Sequence, residues 1–184
     1  GWDPDTGNPF IMVDMINGAW GARPDKDGIE GITNPTQNMS NMPVETLEYR
    51  YPVRVEEYAL RPDSCGAGRW RGGLGLIREY RFLGREATLQ LRADREQHLP
   101  YGLAGGASAA PSVNVLNPGR ADEEPLPAKV TRTVRHDDVV RHEQPGGGGY
   151  GDPAERCPDD IRRDIQNGKI TPAYAKRWHG FVET

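Results

Sequence analysis

The chain has 184 residues and a net charge of −4, from 27 acidic and 23 basic residues, with no block of like charge long enough to act as a nucleic-acid or membrane patch. Its 23 glycines and 16 prolines fall just short of the share at which low-complexity disorder is expected, and its apolar residues come in short runs between turn signals. Nucleic acid and membrane are therefore not expected partners, and a loop-rich fold of short strands is. Two cysteines make neither a disulfide framework nor a metal cluster by themselves, and no apolar run reaches spanning length, so the expected location is the cytoplasm. Residue 1 is Gly rather than Met, and the chain is expected to begin inside a larger protein.

In chain order, residues 1–7 read as a β-turn, since Pro4 and the early Gly7 argue against a calcium loop. Residues 10–13 read as a strand. Residues 17–31 form a long glycine-punctuated loop of the kind that is functional or wraps a partner. An amide-rich stretch follows, and Pro43 opens a short helix toward Glu48. Val53 and Val55 alternate with charges, Tyr58 and Leu60 on the opposite phase, which predicts an antiparallel strand with a bulge at Glu56 and Glu57.

A second glycine-arginine loop spans 63–75, and strands are expected at 76–83 and around Leu89 and Leu91. Residues 129–134 and 139–143 read as a hairpin around Arg135, His136, Asp137 and Asp138. Pro158, Asp159, Asp160 and the stop at Gly168 define one helix, and Thr171-Pro172 starts another with Tyr174 and Trp178 on one face. The predicted class is mainly β (α+β), antiparallel, with long glycine-rich loops and a short C-terminal helical tail. Residues 1–48 form a loop-rich active-site segment, 49–152 a β-rich core and 153–184 the tail.

Between the last strand and the tail lies Pro145-Gly146-Gly147-Gly148-Gly149-Tyr150-Gly151. Ordering four successive glycines is entropically costly, so the position needs positive φ or close backbone approach. The placement invites comparison with phosphate-cradling loops, but no Lys-Ser/Thr follows and Pro153 interrupts the passage into the helix. A tight structural crossover is the simpler expectation. His136 and His142 would converge across a hairpin, yet no carboxylate or cysteine joins them at ligand spacing. Cys65, near Arg61, Arg69 and Arg71, is read as an inert small residue rather than an activated thiol. Arg23, Asp27, Asn34, Asn38, Asn41 and Glu45 form a polar set able to orient a small substrate or to bond a neighbouring polypeptide.

Five further runs are Gly18-Ala19-Trp20-Gly21-Ala22-Arg23-Pro24, Pro43-Val44-Glu45-Thr46-Leu47-Glu48 with Tyr51-Pro52-Val53-Arg54-Val55, Gly66-Ala67-Gly68-Arg69-Trp70-Arg71-Gly72-Gly73-Leu74-Gly75, Pro100-Tyr101-Gly102-Leu103-Ala104-Gly105-Gly106, and Asn117-Pro118 followed by the glycine run. In this order they resemble the C-terminal part of the hydantoinase B family, which includes the corresponding half of 5-oxoprolinase and subunits of acetone and acetophenone carboxylases. The resemblance implies ATP-dependent opening of a cyclic amide through a phosphorylated intermediate, with a ketone carboxylase component or a structural assembly domain as alternatives. It implies that this chain binds no cofactor alone, and that ATP/Mg and a divalent metal (Zn, Mn or Fe) belong to partner chains. Those partners are an N-terminal hydantoinase B part and a hydantoinase A-like ATP-binding subunit, in a hetero-oligomer. On this reading Glu45, Asn38 and Arg23 are the expected catalytic residues, Gly146, Gly147, Gly148, Gly149 and Tyr150 the substrate or phosphate loop, and Arg69 and Arg71 loop-bracing or interface residues. The loop Asn34-Pro35-Thr36-Gln37-Asn38 lacks the histidines of the oxoprolinase branch, and Cys65 replaces a common glycine, so the substrate class stays open.

Overall fold

The computed structural model describes residues 1–34, 36–37 and 39–182. Helix α1 (Val44–Arg50) follows Pro43 and leads into β1 (Val53–Leu60). The remaining strands are β2 (Leu76–Phe82), β3 (Glu86–Arg92), β4 (Val113–Leu116), β5 (Glu124–Pro125), β6 (Lys129–Arg135) and β7 (Val139–Glu143). Five of them pair antiparallel in the order β1-β2-β7-β4-β5, and β3 with β6 forms a separate ribbon. The phase change read in β1 is a bulge: Val55 faces Tyr80 and Glu57 faces Glu79, which leaves Glu56 unopposed.

Two expectations fail. Residues 129–134 and 139–143 follow one another through a tight turn but do not pair. β6 runs beside β3, from Lys129 opposite Arg92 to Arg135 opposite Glu86, whereas β7 lies between β2 and β4. The turn accounts for the switch. The Asp138 carboxylate accepts from Arg135 N at 2.7 Å, Asp137 takes φ +68°, and Asp138 O accepts from Phe82 N at 2.9 Å, which delivers the chain to β2 instead of back along β6. His136 consequently lies in the turn, its Nδ1 against Leu83 O, and His142 lies in β7, its Nδ1 against Asn114 Oδ1. The second failure is 10–13, which alternates like a strand but joins no ladder. It crosses the face of the sheet, packing Phe10 and Met12 onto the apolar cluster below.

The tail matches its sequence signals. In α2 (Pro158–Gln166) proline occupies the first turn with Asp159 and Asp160, and Gly168 takes φ +66° after the helix ends. In α3 (Pro172–His179) the Thr171 hydroxyl accepts from Tyr174 N at 3.1 Å, and Gly180 closes the end at φ +62°. No helix among the described residues is long and apolar enough to cross a membrane.

Two apolar clusters result. One face of the five-stranded sheet contributes Val53, Phe82 and Leu116 to a cluster that α1 covers with Leu47. The helical tail supplies Ile161, Tyr174 and Ala175 from its helices and Ile170 from their connection to a second cluster around Cys65, Ala67 and Leu74 of the 63–75 loop. The glycine segments lie against this second cluster, so the docked tail fixes where they run.

Candidate functional site

The glycine run threads a lattice of backbone with 17–28, 64–75 and 101–107. Gly147 N donates to Gly73 O at 2.8 Å, Gly149 N to Ala107 O at 3.0 Å and Tyr150 N to Trp70 O at 2.9 Å. In return, Gly147 O accepts from Gly66 N at 2.8 Å and Gly148 O from Ala22 N at 2.9 Å. Close approach, not positive φ, is what these glycines provide: a Cβ on Gly148 would stand 1.9 Å from Tyr101 O, and one on Gly72 would stand 1.8 Å from Gly147 O. The amides of 147, 149 and 150 are thereby engaged with carbonyls rather than turned toward an open cradle.

Arg23 adjoins the run through the Ala22–Gly148 hydrogen bond. Its backbone pairs with Lys26, and its Nε is sealed from solvent without a partner among the described residues. Glu45 stands exposed in the first turn of α1, over the other cluster, and makes no hydrogen bond or ion pair among the described residues. Asn38 lies outside the described residues. Arg23 and the glycine run are thus neighbours, while Glu45 belongs to a separate part of the fold.

Under the lattice lies an ion network that sequence spacing does not reveal. Arg71 Nε reaches Asp164 at 3.0 Å and its NH1 reaches Glu30 at 2.8 Å, while Arg156 grips both Asp27 oxygens at 2.8 Å and Asp164 at 2.7 Å. Lys169 adds 3.1 Å to Glu30, so three cations meet three carboxylates. Burial would raise the Asp27 carboxyl, but the Arg156 hydrogen bond and charge, with Arg71 behind them, hold it below the ordinary range; Glu30 is held down by Arg71 and Lys169 in the same way. Arg71 thus braces the 63–75 loop, and Asp27 belongs to the same network. Arg69 instead lies exposed, 3.8 Å from Glu155. Cys65 is sealed in the same region, its thiol pushed up to about 11 by burial, which makes it inert.

The most polar part of the covered sheet face is a row across four strands. Register places Tyr58, Arg78, His142 and Asn114 side by side, so all four share one face. The Arg78 guanidinium sits 3.8 Å from the Tyr58 ring centroid and donates to Tyr80 Oη at 3.0 Å and to Asn41 Oδ1 at 3.3 Å. Asp14 descends from the 10–18 segment onto Arg78 and Tyr80. His142 Nδ1 meets Asn114 Oδ1, and Gln144 Nε2 donates to Ile16 O. Burial lowers the His142 pKa, opposed by Glu143 and aided by Arg61.

Arg78 Nε, Asn114 Nδ2 and Gln144 Oε1 have no partner among the described residues, although Arg78 is 2% and Asn114 3% exposed. Two donors and one acceptor are thus held dry beneath the 10–18 segment. The sequence signal is present but faint: Arg78, His142 and Asn114 each share the inward phase of their strand with apolar or aromatic residues. No three His, Cys, Asp or Glu side chains gather as a metal requires among the described residues, so these residues supply no cradle for the divalent metal implied by resemblance.

Comparison with known proteins supplies the family. The sequence profile described as Hydantoinase B/oxoprolinase matches residues 1–153. The chain is 32% identical over 179 residues to a putative D-/L-hydantoinase polypeptide, the B component, of Pseudomonas sp. (strain NS671), covering 96% of this chain and 30% of that one. Among solved structures, the ATP-dependent caprolactamase of Pseudomonas jessenii superposes with a TM-score of 0.80 at 30% identity, over 91% of this chain and 30% of that one. The nucleotide-free acetone carboxylase superposes at 0.76 with 20% identity, over 90% and 26%, a likeness of fold alone. The chain thus spans about a third of the length of these relatives. With the profile covering most of the sequence, the chain belongs to the hydantoinase B/oxoprolinase family.

Proposed function

We propose that this chain is the C-terminal portion of an enzyme that hydrolyses a cyclic amide at the expense of ATP. The observation that carries the reading is the shared fold and 30% identity with ATP-dependent caprolactamase across nearly the whole chain. An unstrained amide is a poor electrophile because nitrogen donates into the carbonyl; with its oxygen phosphorylated, water adds at the carbon, the ring C–N bond breaks as nitrogen leaves as the amine, and hydrolysis of the remaining acyl phosphate releases phosphate and the ring-opened acid. On this reading ATP/Mg arrives with a hydantoinase A-like partner, and an N-terminal hydantoinase B part completes the site and holds the divalent metal. The present chain contributes a wall. Arg23 and the run of Gly146, Gly147, Gly148, Gly149 and Tyr150 line one end, Glu45 and Asn38 line another, and the assembly works in the cytoplasm.

The test is turnover by the assembled enzyme with hydantoin, 5-oxoproline and caprolactam, reading ring-opened acid and released phosphate together. One phosphate per ring opened supports the proposal. Ring opening without ATP, or product formed only from a ketone and bicarbonate, overturns it.

A further inference from the structure

Residues 10–16 behave as a strand that has lost its sheet. Phe10 and Met12 point into the apolar cluster, Asp14 binds Arg78 and Tyr80, and Ile16 O accepts from Gln144. These anchors fix the phase, because alternate side chains of an extended segment face opposite ways. The outward set is Ile11, 83% exposed, Val13, 74%, and Met15, 54%. Along 11–15 no backbone N–H or C=O forms a hydrogen bond among the described residues. Three large apolar side chains in a row, beside an unpaired backbone edge, are a template for strand addition.

We propose that residues 11–15 form a strand-addition interface for the companion polypeptide, the part of a hydantoinase B protein that this chain does not span. The inference rests on reading the chain as one portion of such a protein. The relatives are about three times its length, so a body of that size is available to cover the strip. A second copy of the chain is a poorer occupant. Self-pairing over five residues would bury far less than the roughly 800 Å² per partner of a stable interface, whereas a companion continuing past both ends of the strip reaches it. The occupant is therefore an apolar, extended edge. Its backbone pairs with 11–15 while its side chains cover Ile11, Val13 and Met15.

The probe is the P. jessenii caprolactamase chain with its matched segment deleted, mixed with this chain and followed by light scattering on a sizing column and by hydrogen exchange. A one-to-one complex is expected, with protection at alternate amides between 11 and 15, as an antiparallel edge gives. The combined variant Ile11→Asp, Val13→Asp, Met15→Asp changes only outward residues; it keeps the melting curve of the free chain and loses at least tenfold in affinity. Val13→Pro, which removes one N–H, weakens the complex as well. A complex of unchanged affinity with both variants overturns the interface and leaves the proposed function standing. Failure of the unaltered chain to bind likewise overturns the interface, the proposed function being decided separately by turnover, and a homodimer held by the strip overturns the choice of companion.

Discussion

Replacing Gly148 with alanine tests whether the glycine run is held by backbone contact. The added Cβ would lie 1.9 Å from Tyr101 O and 2.5 Å from Tyr101 C, against a floor of 3.0 Å for real Cβ contacts, so one backbone must retreat by about an ångström. Neither can move freely, since Gly148 O accepts from Ala22 N while Gly147 and Gly149 are tied to Gly73 and Ala107. Overpacking by one carbon costs about 1–3 kcal/mol where side chains absorb it, and here only backbone is available, so at least ~3 kcal/mol is expected. For a domain of this size that corresponds to a fall in Tm of about 6–12 °C. Gly18→Ala is the matched control, because its Cβ would meet nothing closer than 3.6 Å. It should be neutral or stabilising by up to about 1 kcal/mol, through a less free unfolded chain. Equilibrium urea unfolding of the two variants decides the matter. A loss under 1 kcal/mol in Gly148→Ala, or an equal loss in both, would refute the interleaved lattice.

Four further outcomes follow from the same geometry. Asp164→Asn leaves Arg71 and Arg156 short of a buried counter-ion and should cost about 3–5 kcal/mol in urea unfolding. Asp27 and Glu30 have lowered folded pKa values, so their stabilisation is complete above the ordinary carboxylate range, about pH 4, and disappears as pH falls through the folded values; Asp27→Asn should flatten that acid limb of a Tm–pH series. His142 is also lowered, so protonation favours the unfolded chain: stability should decline as pH drops below about 6.5, less steeply in His142→Gln, with His179 supplying the remainder. A thiol reagent should modify one cysteine in the folded chain, the exposed Cys157, and Cys65 only after denaturant is added.

Local structure is legible in the sequence wherever a single residue controls the backbone. Pro158, Gly168 and Thr171 bound the tail helices, and the change of phase at Glu56 marks the bulge. Pairing across long separations is not legible. The choice of β3 rather than β7 as partner for β6 depends on the Asp138 turn meeting Phe82, a contact between residues remote in sequence. Residues 10–13 are an unbroken apolar run that reads as a strand, yet such a run says neither which side is buried nor whether a ladder forms.

The candidate site is legible only in part, for the same reason. Asp27 lies 129 residues from Arg156, and no spacing rule joins them. One cue exists: Asp164 falls three residues after Ile161 and next to Ile165, on the apolar face of α2, where a charge demands a buried partner. Asn41, one of the polar set read as able to orient a substrate or bond a neighbouring polypeptide, holds Arg78 and Tyr58 together, a contact between residues remote in sequence. The row of Arg78, His142 and Asn114 requires the strand order, which composition and alternation do not contain.

The central claim is that these residues work only as one part of an ATP-driven amide hydrolase. An omission assay measures this most directly: ring-opened product and phosphate are followed with caprolactam and ATP while each polypeptide is withheld in turn. The account predicts turnover solely when the present chain, the N-terminal hydantoinase B part and the ATP-binding partner are all present, with phosphate matching product. Ring opening by this chain alone, or undiminished turnover in its absence, would contradict it.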